Sequence, residues 1–295
     1  MLHLILTRYN LRLWHRTKRG GEAQTEDWLR HRTALFEAYC LPSLAAQTCK
    51  DFVWVLLLDA ESPEWLQKRT EAWKQQVPQI RIIKVKPEAS PYFAQIFKEV
   101  AAAIIKQKQA EQRAAVATKR LLTTYLDNDD ALRCDFVEHL QSEASSVADK
   151  TFINYRWGLQ YFTELGIATR VPYKYNHFNS YVEDFSEAGS VRTVFGMGSH
   201  TTIRKTQGTH QHHVVMSEHP MWVEVVHEQN KYNDVLMSLR THLVTDASYL
   251  PSHFGWHAPY IAAHPRRVFL LRFLPRAARE VLRHIRDNLF GFDWS

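Results

Sequence analysis

Thr123-Thr124-Tyr125-Leu126-Asp127-Asn128-Asp129-Asp130-Ala131-Leu132 runs from a β-branched and apolar stretch straight into a dense group of acids. Leu121 to Leu126 reads as a strand. Three carboxylates within four residues repel one another and would be out of place inside that strand. At the carboxyl end of a parallel strand they face the crevice where α/β proteins bind ligands. Asp127 and Asp129, two apart in extended chain, point to the same side. Together they can hold one hard divalent cation, Mn or Mg, with phosphate oxygens and water completing its shell. A cation there neutralises a diphosphate leaving group. The plainer reading is a solvated acidic turn, with Asp130 capping the helix that follows.

The residues upstream favour the metal-site reading over the acidic turn. Leu2 to Thr7 is a short apolar strand, and Phe52 to Leu58 is apolar throughout, as in a strand covered on both faces. Ile80 to Val85 is another. A helix from about Asp27 ends or kinks near Pro42. Ser62-Pro63-Glu64 and Ser90-Pro91 read as helix starts, with serine at the cap and proline at the first helical position. The second opens a long helix reaching as far as Ala115. Phe136 to about Ser146 is helix again. Strand–helix alternation implies right-handed crossovers and a mostly parallel sheet, hence an α/β sandwich.

Downstream of Thr151 the pattern changes to shorter expected strands at Phe152–Tyr155, Leu159–Phe162 and Val191–Phe195. This half is expected to complete the sheet and build the acceptor side of a cleft. The boundary drawn is Pro265. Residues 1–265 form the main domain, and 266–295 a basic amphipathic helical segment broken near Pro275. From Arg266 to the end, seven arginines face three acids (Glu280, Asp287, Asp293). With Val268, Leu271, Val281, Leu282, Ile285 and Leu289, this composition suits a helix lying on an anionic membrane. The alternative packs the apolar face on the domain.

At 295 residues, 45% hydrophobic and 23% charged, the chain has an ordinary soluble composition. No window approaches 18 consecutive apolar residues. The N-terminal MLHLILTRYN is expected to be a strand rather than a signal peptide. Three cysteines without a C-x-x-C pair suit a reducing cytoplasm.

The sequence resembles the rhamnosyl transferase family, a branch of the GT-A-fold glycosyltransferases. The resemblance is carried by Thr7-Arg8-Tyr9-Asn10, Pro42-Ser43-Leu44 with Gln47-Thr48, Asp51-Phe52-Val53-Trp54 leading to Asp59, and Leu126-Asp127-Asn128-Asp129-Asp130-Ala131-Leu132. Trp222 with Val226-His227 and Asn230 extends it to about residue 233. It implies a GT-A domain that binds a nucleoside diphosphate sugar, dTDP- or UDP-linked, through a divalent cation. Thr7 and Arg8 would lie near the nucleotide and Asp59 near its base or ribose. Asp127 and Asn128 would also belong to the donor site. Asp127 and Asp129 match the metal motif, and His227 would be a third ligand. Glu228 departs from the glycine expected after His227. Rhamnose as the sugar rests on the family alone, and the acceptor is expected to be a saccharide or, through the basic C-terminal segment, a lipid-linked saccharide at the inner face of the membrane.

An inverting reaction needs a carboxylate that takes the acceptor proton. Glu218 is the first candidate and Asp184 the second. His210, His212 and His213 read as loop histidines, Gly196-Met197-Gly198 as a tight turn, and the aromatic residues from Tyr155 to Tyr181 as core in large part. Two other functions compete. A nucleotidyltransferase could use the same acids, with Lys18-Arg19-Gly20-Gly21 as a faint phosphate loop. A non-enzymatic module binding an anionic ligand would use the basic tail, but no nucleic-acid motif is present and no nucleic-acid partner is expected.

Overall fold

The computed structural model describes residues 1–13, 25–111, 119–196, 210–227, 240–257, 259–279 and 282. The Lys18–Gly21 loop, Met197-Gly198, Glu228, Asn230 and most of the segment beyond residue 280 lie outside these residues.

Alternation of buried side chains along the first strands builds the sheet. In β1 (Leu2–Arg8) and β2 (Val53–Asp59), Ile5, Trp54 and Leu56 face one core while Leu4, Leu6, Val55 and Leu57 face another. With β3 (Ile80–Val85) and β4 (Arg120–Tyr125), they form four neighbouring parallel strands. The first core is closed by α1 (Glu26–Leu35), α2 (Leu41–Ala45), α3 (Glu64–Gln76) and α5 (Phe136–Ser146). The second is closed by α4 (Phe93–Glu111), through Phe97, Ala101 and Ile105. Burying each large side chain on either face stabilises the fold by about 1.5–3 kcal/mol. The expected α/β architecture, a mostly parallel central sheet flanked by helices, is therefore present.

Two further strands, β6 (Thr151–Tyr155) and β9 (Ser180–Asp184), extend this sheet, and β10 (Gln211–Val215) closes its edge. The order is β10-β6-β9-β4-β1-β2-β3, and only β9 runs antiparallel to its neighbours. A second sheet holds β5 (Ala131–Leu132), β7 (Trp157–Phe162), β8 (Ile167–Pro172), β11 (Trp222–Val226) and β12 (His242–Val244), in the order β12-β8-β7-β11-β5. Helix α6 (Tyr249–Phe254) packs on it, and α7 (Pro265–Val268) begins the C-terminal helical stretch. Strand β5 follows the acidic motif directly, so the motif is the hinge between the two sheets.

Local departures from the sequence reading have local causes. The helix from Glu26 is interrupted just before Pro42 and ends three residues after it, within the expected bounds. The interruption is a π-helical turn, Phe36–Cys40, in which Leu41 N–H donates to the Phe36 carbonyl, and α2 carries on to Ala45. Neither serine caps its helix. Ser62 Oγ donates to the Asp59 carbonyl at 2.6 Å and Pro63 takes the cap position, while Ser90 Oγ accepts from Arg12 N–H. A 3₁₀ turn, Pro87–Tyr92, precedes α4. Val191–Phe195 is not a strand. The buried Glu183 carboxylate takes the backbone N–H groups of Arg192 and Thr193 at 2.8–3.0 Å, and Thr193 adopts φ 66°. Those amides cannot then join a ladder.

Candidate active site

The carboxyl ends of β1, β2 and β4 converge on the acidic motif. Arg8 closes β1, and its guanidinium lies 4.8 Å from the Phe93 ring centroid, 5.2 Å from Tyr125 and 5.6 Å from Phe195. Cation–π contact on several sides fixes this charge in place. Its Nη2 donates to Tyr125 Oη at 2.6 Å, and Tyr125 donates to Asp127 Oδ1 at 2.5 Å. Arg8 and Asp127 themselves stand 3.6 Å apart.

Asp129 and Asp130 turn to different partners. Asp129 Oδ2 pairs with Arg32 of α1 and lies 2.9 Å from His227 Nε2. Burial opposes its charge, but Arg32 and His227 outweigh burial and hold its carboxyl below the usual carboxylate range. Asp130 Oδ2 lies 2.7 Å from His177 Nε2, and Asp130 Oδ1 accepts Val225 N–H at 2.9 Å. Burial, with the neighbouring acids, pushes the Asp130 carboxyl up. For His177, burial favours the neutral ring, but the contact with Asp130 prevails and raises its proton affinity. The pair therefore retains a proton that a free imidazole would give up.

His177 reaches this place through a buried amide network. Asn176 Nδ2 donates to Asn154 Oδ1 at 2.8 Å and to the Tyr155 carbonyl at 2.9 Å, and Asn154 Nδ2 donates to Asn179 Oδ1 at 2.9 Å. These bonds pin the loop before β9 to β6. No short-range signal marks His177, because its partner Asp130 lies 47 positions earlier.

Asp127, Asp130 and His177 each offer a donor atom, and these atoms lie within 4.8 Å of one another. The two carboxylates suit a hard cation such as Mn or Mg, and the imidazole adds a nitrogen donor that favours a transition-metal ion such as Mn over Mg. Of the metal ligands expected from sequence, Asp129 and His227 meet each other, whereas Asp127 stands with Asp130 and His177 instead.

The other expected site residues are placed as follows. Thr7 is fully buried and its hydroxyl accepts from Trp54 Nε1 at 3.0 Å, so it serves the sheet core. Asn128 is buried and donates to the Tyr9 carbonyl at 2.7 Å, shaping the motif's backbone. Asp59 closes β2 and binds Arg12 Nε at 2.6 Å, so it offers the cleft an arginine rather than a bare carboxylate. Asp184 pairs with Arg120 at 2.7 Å, at the opposite end of β4 from the acidic motif. Glu218 is exposed before β11, at the far end of that strand from His227, and its backbone carbonyl accepts from Arg170 at 2.8 Å. The structure brings neither base candidate to the cluster. His213 pairs with Glu143 at 2.8 Å, while His210 and His212 pack against Phe152, away from the motif.

Glu224, which the sequence reading passed over, is buried on β11 and accepts from Gln160 Nε2 at 2.7 Å. Burial raises its carboxyl above the usual range, and it feels the charges of His177, Asp129 and Asp127. The sole hint in sequence is an acid in an otherwise apolar strand, Trp222-Val223-Glu224-Val225-Val226.

A mostly parallel α/β sheet whose carboxyl edge carries such a cluster is a framework that can bind a ligand and a cation in the crevice at its strand ends. The chain belongs to the family described as "Putative rhamnosyl transferase", which it matches over residues 18–238. That membership makes it a glycosyltransferase by class; the Thr7-Arg8-Tyr9-Asn10 motif precedes the matched range. No curated protein matches the chain. Among solved structures it is similar to S. aureus TarS, at 11% identity and TM-score 0.42, over 77% of this chain and 37% of that one. It is also similar to TarS 1-349 in complex with UDP, at 11% identity and TM-score 0.43, over 77% and 61% of the two chains. Mouse xyloside xylosyltransferase 1, apo form, aligns at 12% identity and TM-score 0.27, over 52% of each chain. The chain thus spans 37% to 61% of these neighbours' lengths, less than two thirds of each.

Proposed function

We propose that this glycosyltransferase moves a sugar, with rhamnose as the leading choice, from a dTDP- or UDP-linked donor to a saccharide acceptor with inversion at the anomeric carbon. The observation that carries the reading is the meeting of Asp127, Asp130 and His177 at the carboxyl edge of the parallel sheet. A divalent cation held by these three residues would neutralise charge on the diphosphate as it leaves. Arg8, held rigid by its three rings, supplies a fixed positive charge on the same side as Asp127. Asp129 with His227 is the second candidate metal pair, favoured by their 2.9 Å contact.

Glu224 takes over the role first given to Glu218 and Asp184. A buried carboxylate with raised proton affinity is suited to accept a proton from an acceptor hydroxyl. Residence in the cytoplasm is part of the proposal, supported by three free cysteines. Residues 1–265 would be the catalytic unit and 266–295 an appended basic segment.

The test is thermal unfolding with dTDP, UDP, GDP, CMP and ATP, with and without manganese. A ligand at 100 times its Kd adds roughly 2.7 kcal/mol, which raises the midpoint of a chain this long by several degrees. A manganese-dependent shift with one diphosphate supports the reading and names the nucleotide. No shift with any diphosphate at saturating concentration overturns it.

A further inference from the structure

The C-terminal helical stretch has two unlike faces. After α7 (Pro265–Val268) the chain passes through a π-helical turn, Phe269–Phe273, into helical residues 274–279. Inward, Phe273 and Ala277 are buried against Phe162, Leu165, Ile167 and Val226 of the second sheet. The Phe273 and Phe162 rings meet edge-on at 5.0 Å. This face is satisfied and holds the stretch to the body of the protein.

Outward, Leu270 is 59% exposed, and Leu271 and Leu282 are each 64% exposed. They stand among Arg266, Arg267, Arg272 and Arg279, all exposed. From Pro265 to Arg279 there is no acidic residue. Leucines presented to water beside a row of arginines call for an occupant that is apolar and anionic together.

We propose that this face docks on an anionic lipid bilayer, its leucines entering the headgroup–acyl boundary and its arginines pairing with lipid phosphates. A second copy of the chain is a poor occupant, because a two-fold contact would set the arginine row against itself. Nucleic acid would complement the arginines and leave the leucines without a role. The face is also well placed. The helix packs on Val226, the residue immediately before His227. A bilayer on the outer face would lie one helix diameter, roughly 10 Å, beyond that residue, so an acceptor carried on a lipid would be presented on the His227 side of the protein. Docking itself does not depend on the glycosyl-transfer reading, only this consequence does.

The experiment is co-sedimentation of the full chain with vesicles of phosphatidylcholine alone and of phosphatidylcholine mixed with phosphatidylglycerol. Wild type should bind the anionic vesicles at least tenfold more tightly, and lose that binding as salt rises. Arg266→Glu with Arg267→Glu should weaken it by roughly fivefold or more per arginine. Leu270→Glu with Leu271→Glu should abolish it, while thermal midpoint and nucleotide response stay at wild-type values because neither leucine is part of the core. Equal binding to both vesicles, or full binding by the leucine variant, overturns the proposal. So does a concentration-dependent dimer in sedimentation velocity that the leucine variant abolishes, which would assign the face to a second copy. Loss of nucleotide response in wild type with vesicle binding intact would sink the catalytic reading and leave the docking face standing.

Discussion

His177 Nε2 lies 2.7 Å from Asp130 Oδ2, joining the loop before β9 to the acidic motif at the end of β4. Asp130 is buried and also accepts Val225 N–H, so one side chain ties together the main sheet, the second sheet and a loop. Asp130→Ala leaves a buried imidazole and a buried amide without their acceptor. It should destabilise the fold by about 3–5 kcal/mol, read from urea unfolding. A change below about 1 kcal/mol would mean that the pair is solvated in solution.

Metal binding separates the two histidines. His177→Gln should remove the manganese-dependent part of the nucleotide-induced thermal shift if the cation sits on Asp127, Asp130 and His177. His227→Gln should then leave most of that shift intact. The reverse pattern would move the cation to Asp129 and His227.

Among the carboxylates, Glu224→Gln should lower kcat by 10²-fold or more while leaving the thermal response to donor nucleotide unchanged. Glu218→Gln and Asp184→Asn should stay near wild-type activity, because one is exposed at the far end of β11 and the other is spent on Arg120. A hundredfold loss in Glu218→Gln instead would return the base assignment to that loop.

His3 should set an acid limit on stability. It is buried with its Nε2 2.9 Å from Thr124 Oγ1, and burial lowers its pKa to about 3. The unfolded imidazole takes its proton near pH 6.5. Between those values only the unfolded chain binds the proton. The contribution is complete above about pH 6.5 and is lost as pH falls toward 3, at up to about 1.4 kcal/mol per pH unit. Urea unfolding of wild type and His3→Gln at pH 7 and pH 5 should show the variant losing about 2 kcal/mol less between the two. Parallel losses would show that His3 is hydrated or charged in the native state.

Gly158 gives a packing test. A Cβ at this position would lie 2.0 Å from Trp222 Cδ2 in the second sheet. That indole is fully buried, stacks on Phe178 at 4.8 Å and donates to the Tyr155 carbonyl at 2.8 Å. Gly158→Ala should therefore cost about 1–3 kcal/mol or more, measured by chemical unfolding. An unchanged midpoint would mean that Trp222 has another position open to it.

The main sheet was legible because its cause is local. Apolar runs at β1, β2, β3 and β4, separated by helix-period stretches, announce parallel strands and crossovers before any contact is known. Phe136–Ser146 has the same boundaries in sequence and structure for that reason. The place of the acidic motif at the carboxyl end of β4 follows from the strand before it. What the motif does could not be read that way. Asp127, Asp129 and Asp130 look alike in sequence, yet one is tied to Tyr125 and Arg8, one to Arg32 and His227, and one to His177 and Val225. Val191–Phe195 has a strand's composition, but the Glu183 carboxylate claims its amides. Hydrophobic periodicity is a property of neighbouring residues and survives in the sequence. The partner of a buried charge is chosen by which segments the folded sheets bring within about 3 Å, and only the tertiary structure decided that.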